Sequence, residues 1–258
     1  MNKPIGIFDS GIGGISFLDN LVKRFKYENF IYLADNKNCP YGNKSKNDII
    51  RYSLKNSKKL LELDCKILVV ACNTATTNSI EKIREVVSIP VIGVEPGLKP
   101  AIEFTKTKNI GVLATEKTLS SKLFFETSKT NQIKGLNIYE QIGFELVNMI
   151  EKDSCDYDEM FKILKSYLNP MINKNIDCLV LGCTHYNFIK NIIEDIVAKK
   201  IKIIDTITPV NNHIHNTLNS NNIFNSKRRN RFIKVFYNGK RLQKKYISNE
   251  YLVGYLDF

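Results

Sequence analysis

The chain has 258 residues, 43% of them hydrophobic and 25% charged, an ordinary mix for a folded protein. That excludes a disordered, collagen-like or disulfide-scaffold chain, and the length supports a sizeable core in one large domain or two small ones. Lys and Arg number 38 against 26 Asp and Glu, a net charge of +12, with the basic excess gathered toward the C-terminus.

The first expected element is a strand over Pro4–Phe8, leading directly into Asp9-Ser10-Gly11-Ile12-Gly13-Gly14. A helix begins near Gly13, and Ile15, Leu18, Val22 and Phe25 share one of its faces. The glycines permit a tight turn that brings backbone N–H groups close to an anion, and the positive helix end favours a carboxylate or phosphate. As a dinucleotide fingerprint the segment is a near miss: Gly11 and Gly13 match, but Ser16 holds the third glycine position. A second strand, Phe30–Ala34, ends at Asp35, where a ribose-binding carboxylate would stand, and Asp35 to Gly42 follows.

Strands are then expected at Ile67–Ala71, Val91–Val94, Ile110–Ala114, Cys178–Leu181, Ile201–Ile204 and Phe232–Phe236. Several are apolar on both faces, as parallel strands covered by helices are. Between them Met160, Leu164 and Leu168 share a helix face, as do Ile189, Ile192, Ile193, Ile196 and Val197. The alternation predicts an α/β protein with parallel sheets. Glu95-Pro96-Gly97 and Thr208-Pro209 interrupt it, which predicts one unit over 97–207 and another built from 1–95 plus 208–258, with a small ligand in the gap. The longest apolar runs are too short to cross a bilayer. PIGIF follows Met1 closely, without a signal-peptide pattern, so the expected location is the cytoplasm.

The six cysteines, Cys39, Cys65, Cys72, Cys155, Cys178 and Cys183, form no CxxC pair. Free thiols are expected in a reducing compartment. Cys65 and Cys178, at strand entrances, read as small buried hydrophobes. Cys72 and Cys183 differ. ILVVAC runs on into Asn73-Thr74, and CLVLGC into Thr184-His185; each is an apolar strand ending in a small residue, a Cys and a Thr, then opening a helix. This looks like an internal duplication. N–H dipoles at such turns lower a thiol pKa. Three joint roles stand open: a zinc site from Cys72, Cys183 and His185, a redox disulfide, or two acid/base groups facing one substrate atom from opposite sides, as racemisation at carbon requires.

From Ile207 to Asn249 no residue is acidic, while Lys227, Arg228, Arg229, Arg231, Lys234, Lys240, Arg241, Lys244 and Lys245 crowd together. Such a cluster attracts polyanions or steers an acidic substrate. A solvated face in a Lys- and Asn-rich chain is the simpler reading, since no nucleic-acid-binding motif accompanies it; no nucleic-acid or membrane partner is expected.

FDSGIGG (8–14), CPYG (39–42), ACNTATT (71–77), GVEPGLKPA (93–101) and LGCTHY (181–186) resemble, in order and spacing, the motifs of the glutamate racemase family. The resemblance spans about residues 4 to 206 and implies two similar parallel-sheet α/β domains related by a pseudo-twofold, with the active site in the cleft between them. By the same resemblance Cys72 and Cys183 match two catalytic thiols that work without pyridoxal phosphate, metal or other cofactor. Asp9, Ser10, Tyr41, Gly42, Asn73, Thr74, Thr184 and His185 match substrate-contacting positions. Glu151, in LVNMIEKD, matches a glutamate near the second thiol, and Thr115, in GVLAT, another pocket position. The resemblance further implies a homodimer that supplies D-glutamate for peptidoglycan. The chain departs from the pattern at Asn187, where proline is common, and in FYNGKRLQKKY, which lacks the usual SGD-like ending.

The chemistry is consistent with that reading. An α-proton is a weak acid, so one cysteine must be thiolate and the other thiol. N–H groups at helix starts suit both substrate carboxylates. His185 would stabilise or reprotonate Cys183, and Asp9 would handle a proton near Cys72. Each residue also has an ordinary structural reading: Asp9 and Asn73 are good helix caps, Thr74 and Thr184 can bond backbone, and Tyr41 can line a wall. The rivals to the racemase are a dinucleotide-dependent oxidoreductase, from Gly11, Gly13 and Asp35, and a nucleic-acid-binding protein, from the basic section.

Overall fold

The computed structural model describes residues 2–130, 134–152, 156–198, 200–204, 206–225 and 231–258. In chain order its elements are β1 (Ile5–Asp9), α1 (Ile15–Arg24), β2 (Phe30–Ala34), α2 (Lys46–Glu62), β3 (Ile67–Val70), α3 (Asn73–Val86), β4 (Val91–Gly93), α4 (Leu98–Phe104), β5 (Asn109–Ala114) and α5 (Glu116–Leu119). There follow α6 (Lys122–Thr130), β6 (Asn137–Ile142), α7 (Leu146–Glu151), α8 (Tyr157–Ile172), β7 (Cys178–Gly182), α9 (Lys190–Val197), β8 (Lys202–Ile204), α10 (Ile207–Ser220), β9 (Ile233–Tyr237) and β10 (Leu252–Tyr255).

The strands form two all-parallel sheets, one ordered β10-β9-β2-β1-β3-β4 and the other β6-β5-β7-β8. Within each, the first four strands in chain order lie second, first, third, fourth. The repeat seen in ILVVAC and CLVLGC therefore extends to topology: β3 and β7 are equivalent strands, each beside the strand that opens its sheet. In such an order the switch point lies between the first and third strands, at their carboxyl ends. β9 and β10 extend the first sheet only.

Strand residues divide between two apolar layers with period two. Ile67 and Val69 face one cluster, and Leu68 and Val70 another; Leu179 and Leu181 face the first cluster, while Cys178 and Val180 face a third. This is the physical basis of the unbroken apolar runs. The first cluster is continuous between the sheets, joining Ile7 and Val69 to Leu113 and Leu181. The helix faces expected at Ile15, Leu18, Val22 and Phe25, and at Met160, Leu164 and Leu168, are buried in it.

Two strands escape the sequence reading, and both are sheet edges. β6 carries Glu140 and Gln141 and is half-exposed, and β10 is short, glycine-containing and mostly exposed. An edge strand covered on fewer sides has no need of an apolar run. α4 packs on β7, whereas α10 packs on α1 and β4. Cys65 and Cys178 are buried, as small hydrophobes at strand entrances would be. The Cys65 sulfur fills the space beside Gly6, where a Cβ would approach it to 2.7 Å.

Cys155, Lys227, Arg228 and Arg229 lie outside the described residues. Arg231, from the same basic group, donates to the carbonyls of Glu28 and Val22, which ties it into the fold.

Candidate active site

The carboxyl ends of β1, β3, β5 and β7 carry Asp9, Cys72, Thr115 and Cys183, so the switch points of the two sheets supply the expected residues. Several contacts close the gap between them: α1 packs on the 3-10 turn Thr184–Ile189, the turn Tyr41–Asn43 packs on α5, and α3 packs on α5 and α6.

Asp9 is fully buried and accepts hydrogen bonds from the Gly11 N–H and the Thr184 hydroxyl, each at 2.9 Å. Burial raises its carboxyl above the usual range, against the opposing pull of His185 and those two donors. Its neighbour Ser10 meets the Cys72 sulfur at 3.8 Å. The Asp9-Ser10 pair thus touches both cysteine segments.

Cys72 caps α3, and its sulfur accepts the Ala75 N–H at 3.4 Å. The sequence reading expects such N–H dipoles to lower the thiol pKa. The structure reverses that: burial, and after it the Asp9 carboxylate, pushes Cys72 up to about 12 despite the Ala75 N–H. Cys183 also acts in the same upward sense on Cys72, which puts the two thiols within electrostatic reach.

His185 lies with its Nδ1 3.9 Å from the Cys183 sulfur and its Nε2 2.7 Å from Glu151 Oε1. Burial alone would lower its pKa, but the contacts with Cys183, Cys39 and Glu151 outweigh burial and hold it well above the ordinary imidazole range. Burial would raise Glu151, but His185 chiefly, with the Ile12 N–H and Cys39, holds it below the usual carboxylate range. The pair is an imidazolium–carboxylate ion pair. Glu151 Oε1 also accepts the Ile12 N–H at 2.9 Å and the Cys39 thiol at 3.6 Å.

This corrects the reading of the glycine-rich turn as an anion cradle. The Gly11 and Ile12 N–H groups are taken by the protein's own Asp9 and Glu151. The glycines make room for side chains from the other sheet: a Cβ on Gly11 would lie 1.9 Å from Glu151 Oε1, and one on Gly13 would lie 2.3 Å from His185 Nδ1.

Asn73 is not a cap, since Cys72 holds that place; its amide donates to the Val94 carbonyl at 2.9 Å. Asp9 does not cap α1 either, the cap position being Gly14. Thr74, Thr115 and Thr118 form a hydroxyl triangle with sides of 2.9, 2.9 and 3.3 Å. Gly42 abuts it, since a Cβ there would approach that of Thr115 to 2.9 Å. Tyr41 is buried with its hydroxyl donating to Asp35 and accepting from Asn56 at 3.0 Å, so that hydroxyl is held within the first sheet's layer. Asp35 is committed to this network, taking further hydrogen bonds from Asn38 and Asn238. A cavity of about 80 Å³ beside Gly42 and Thr115 is lined also by Pro40, Gly143 and Val147.

Sequence reasoning did not single out Cys39 or Thr118. Cys39 opens the CPYG motif and was visible there; Thr118 carried no signal, being one turn beyond Thr115.

A two-sheet α/β protein with paired cysteines at equivalent strand ends is the class defined here. Residues 5–210 match the model of the Asp/Glu/hydantoin racemase family, and the chain belongs to that family. It is similar to the glutamate racemase of Ralstonia pickettii, with 41% identity covering 83% of this chain and 76% of the relative. It is also similar to that of Clostridium perfringens strain ATCC 13124, with 35% identity over 91% and 90%. Among solved structures, glutamate racemase from Francisella tularensis in complex with D-glutamate superposes with a TM-score of 0.86 at 29% identity, covering 100% of this chain and 97% of that one. Isoform RacE1 from Bacillus anthracis gives a TM-score of 0.89 at 27% identity, covering 99% and 97%.

Proposed function

We propose that this chain is a glutamate racemase, an isomerase interconverting L- and D-glutamate with two cysteines and no cofactor. The observation that carries this is the equivalent placement of Cys72 and Cys183 at the switch points of two sheets of one topology, bridged by Asp9-Ser10. A reaction with near-mirror halves calls for two acid/base groups on opposite sides of one carbon. Cys183 removes the α-proton of L-glutamate, and Cys72 that of D-glutamate.

The surroundings suit these roles. The upward shift of Cys72 favours its neutral thiol, ready to give a proton to a carbanion. His185, as imidazolium, lies beside Cys183 and offsets a thiolate there, with Glu151 holding the ring. Asp9, fully buried near Cys72, accepts or returns a proton on that side. The N–H groups of Asn73 and Thr74, in the first turn of α3, have no intrahelical acceptor and suit a substrate carboxylate. Ser10, Tyr41, Gly42, Thr115 and Thr184 shape and orient the pocket.

We extend the reading to a division into domains 1–95 plus 208–258 and 97–207 with the substrate between them, to a cytoplasmic homodimer, and to supply of D-glutamate for peptidoglycan. Among the described residues no helix is long and apolar enough to cross a membrane. The test is a chiral assay of purified protein with L-glutamate and no added cofactor. Appearance of D-glutamate supports the reading, and its absence, with folded protein, ends it. Retention of turnover in the presence of chelators and carbonyl reagents, with loss on thiol alkylation, is expected alongside.

A further inference from the structure

Cys39 lies at the edge of the site, with no part in the acid–base scheme above. Its sulfur is 3.6 Å from Glu151 Oε1, that same oxygen is 2.7 Å from His185 Nε2, and one donor atom from each of the three residues fits within a 4.8 Å group. We propose that Cys39, Glu151 and His185 form a binding site for zinc, and that the bound ion inhibits the enzyme.

The donor set is a thiolate, an imidazole and a carboxylate, each an established zinc ligand type. With zinc–sulfur bonds of about 2.3 Å and zinc–nitrogen or zinc–oxygen bonds of about 2.0–2.1 Å, a tetrahedral ion spaces its donors roughly 3.3–3.6 Å apart. The Cys39–Glu151 spacing already fits, and the His185–Glu151 spacing must open by roughly 0.6 Å. Gly11 lets Glu151 Oε1 and the Cys39 sulfur come together, since a Cβ there would lie 1.9 Å from the oxygen and 3.0 Å from the sulfur. Cys39 and Glu151 are half-buried and His185 is buried, which puts the group at the border between the interior and the surface. Three protein ligands leave the fourth position to water, the pattern of an open site.

Binding sends the Cys39 thiol proton and the His185 Nε2 proton to solvent. The ring's Nε2 lone pair then goes to the metal, and the imidazolium–carboxylate pair beside Cys183 is lost. The binding half of the proposal is independent of the racemase reading; the inhibitory half rests on it.

Cobalt(II), as a spectroscopic substitute for zinc, is titrated into the full chain. A one-to-one complex with a thiolate-to-cobalt charge-transfer band and tetrahedral visible bands is expected, lost in Cys39→Ser and kept in Cys72→Ser. Bands that survive in Cys39→Ser, that vanish in Cys72→Ser, or that never form would overturn the site. In the unmodified chain zinc should shield Cys39 from iodoacetamide, read by peptide mass spectrometry, which covers the case of a misfolded variant; unshielded Cys39 also overturns it. Saturating zinc should slow racemisation by about 10²-fold, the lower figure for a lost acid–base group. Chelator should restore the rate, and the rate of Cys39→Ser should not respond to zinc. A wild-type rate that is indifferent to zinc while cobalt binds would overturn the inhibitory half. A chain that never racemises would fail the functional reading alone, with the cobalt bands still deciding the site.

Discussion

Thr184 donates its hydroxyl hydrogen to Asp9 across 2.9 Å, tying the turn after β7 to the end of β1. That hydrogen bond is a direct polar link between the two sheets, from the residue after Cys183 to the residue before Ser10, which meets Cys72. Replacing Thr184 by Val keeps the shape and removes the donor, leaving the buried carboxyl with the Gly11 N–H as its hydrogen-bond donor. An unsatisfied buried acceptor costs about 1–3 kcal/mol. Chemical denaturation of Thr184→Val should show a loss in that range, together with slower racemisation in both directions. Unchanged stability and rate would mean that the link carries no weight.

The glycine-rich turn yields a contrast within one chain. Gly13→Ala places a methyl group 2.3 Å from His185 Nδ1 and 2.6 Å from Thr184 Oγ1, so the two units must shift apart. Overpacking of this kind costs about 1–3 kcal/mol, and activity should fall further than stability because His185 moves. Gly254→Ala, whose added Cβ would lie 3.7 Å from the Phe236 ring in ordinary contact, should change neither. Thermal melts and initial rates of the two variants, measured side by side, check this.

The His185–Glu151 pair makes stability depend on pH at both ends. His185 is raised in the folded chain above its ordinary 6.5, so its contribution is complete below that value and is lost as pH climbs through the raised one. Glu151 is lowered from 4.5, so its contribution is complete above that value and is lost as pH falls through the lowered one. Both are present from 4.5 to 6.5. Breaking one partner of a buried pair costs about 3–5 kcal/mol, toward the lower figure here because the Glu151 side chain keeps 21% exposure. Melting curves of wild type and His185→Gln across pH should differ most within that window and converge on the alkaline side. A gap of constant size would contradict the ion pair.

What the sequence disclosed followed the physics of burial. β3 and β7 are covered on both faces, so ILVV and CLVL read as parallel strands, and the cysteines after them stood out at once. β6 and β10 are edges with exposed faces, and their mixed composition left no comparable pattern. Asp9, Cys72, Cys183 and His185 sit in short motifs and were legible. The partnership of Glu151 with His185 and Ile12 was not, because it forms between a helix end and two turns far apart in the chain. The glycines misled in one respect: their N–H groups suggested an anion, and the anions are carboxylates of the protein itself. The Cys72 pKa went the opposite way from expectation because a turn's dipoles are visible in sequence and desolvation is not.

The two-thiol scheme makes its sharpest demand in heavy water. If Cys183 takes the α-proton of L-glutamate and Cys72 returns one from the opposite face, the incoming hydrogen is that of a different thiol, already exchanged with solvent. D-glutamate formed from L-glutamate should therefore carry deuterium at the α-carbon from the first turnover. The remaining L-glutamate should exchange far less in the same interval, since a thiol that has just taken a proton returns it before solvent replaces it. One base serving both faces would instead carry the original hydrogen across and leave product unlabelled. Replacing either Cys72 or Cys183 by Ala removes the base of one direction and the acid of the other. Each change should thus slow both directions, by about 10²- to 10⁴-fold for a lost acid–base group. Mass spectrometry of chirally separated product, taken at low conversion, decides the matter: rapid product that keeps its original α-hydrogen rules the scheme out.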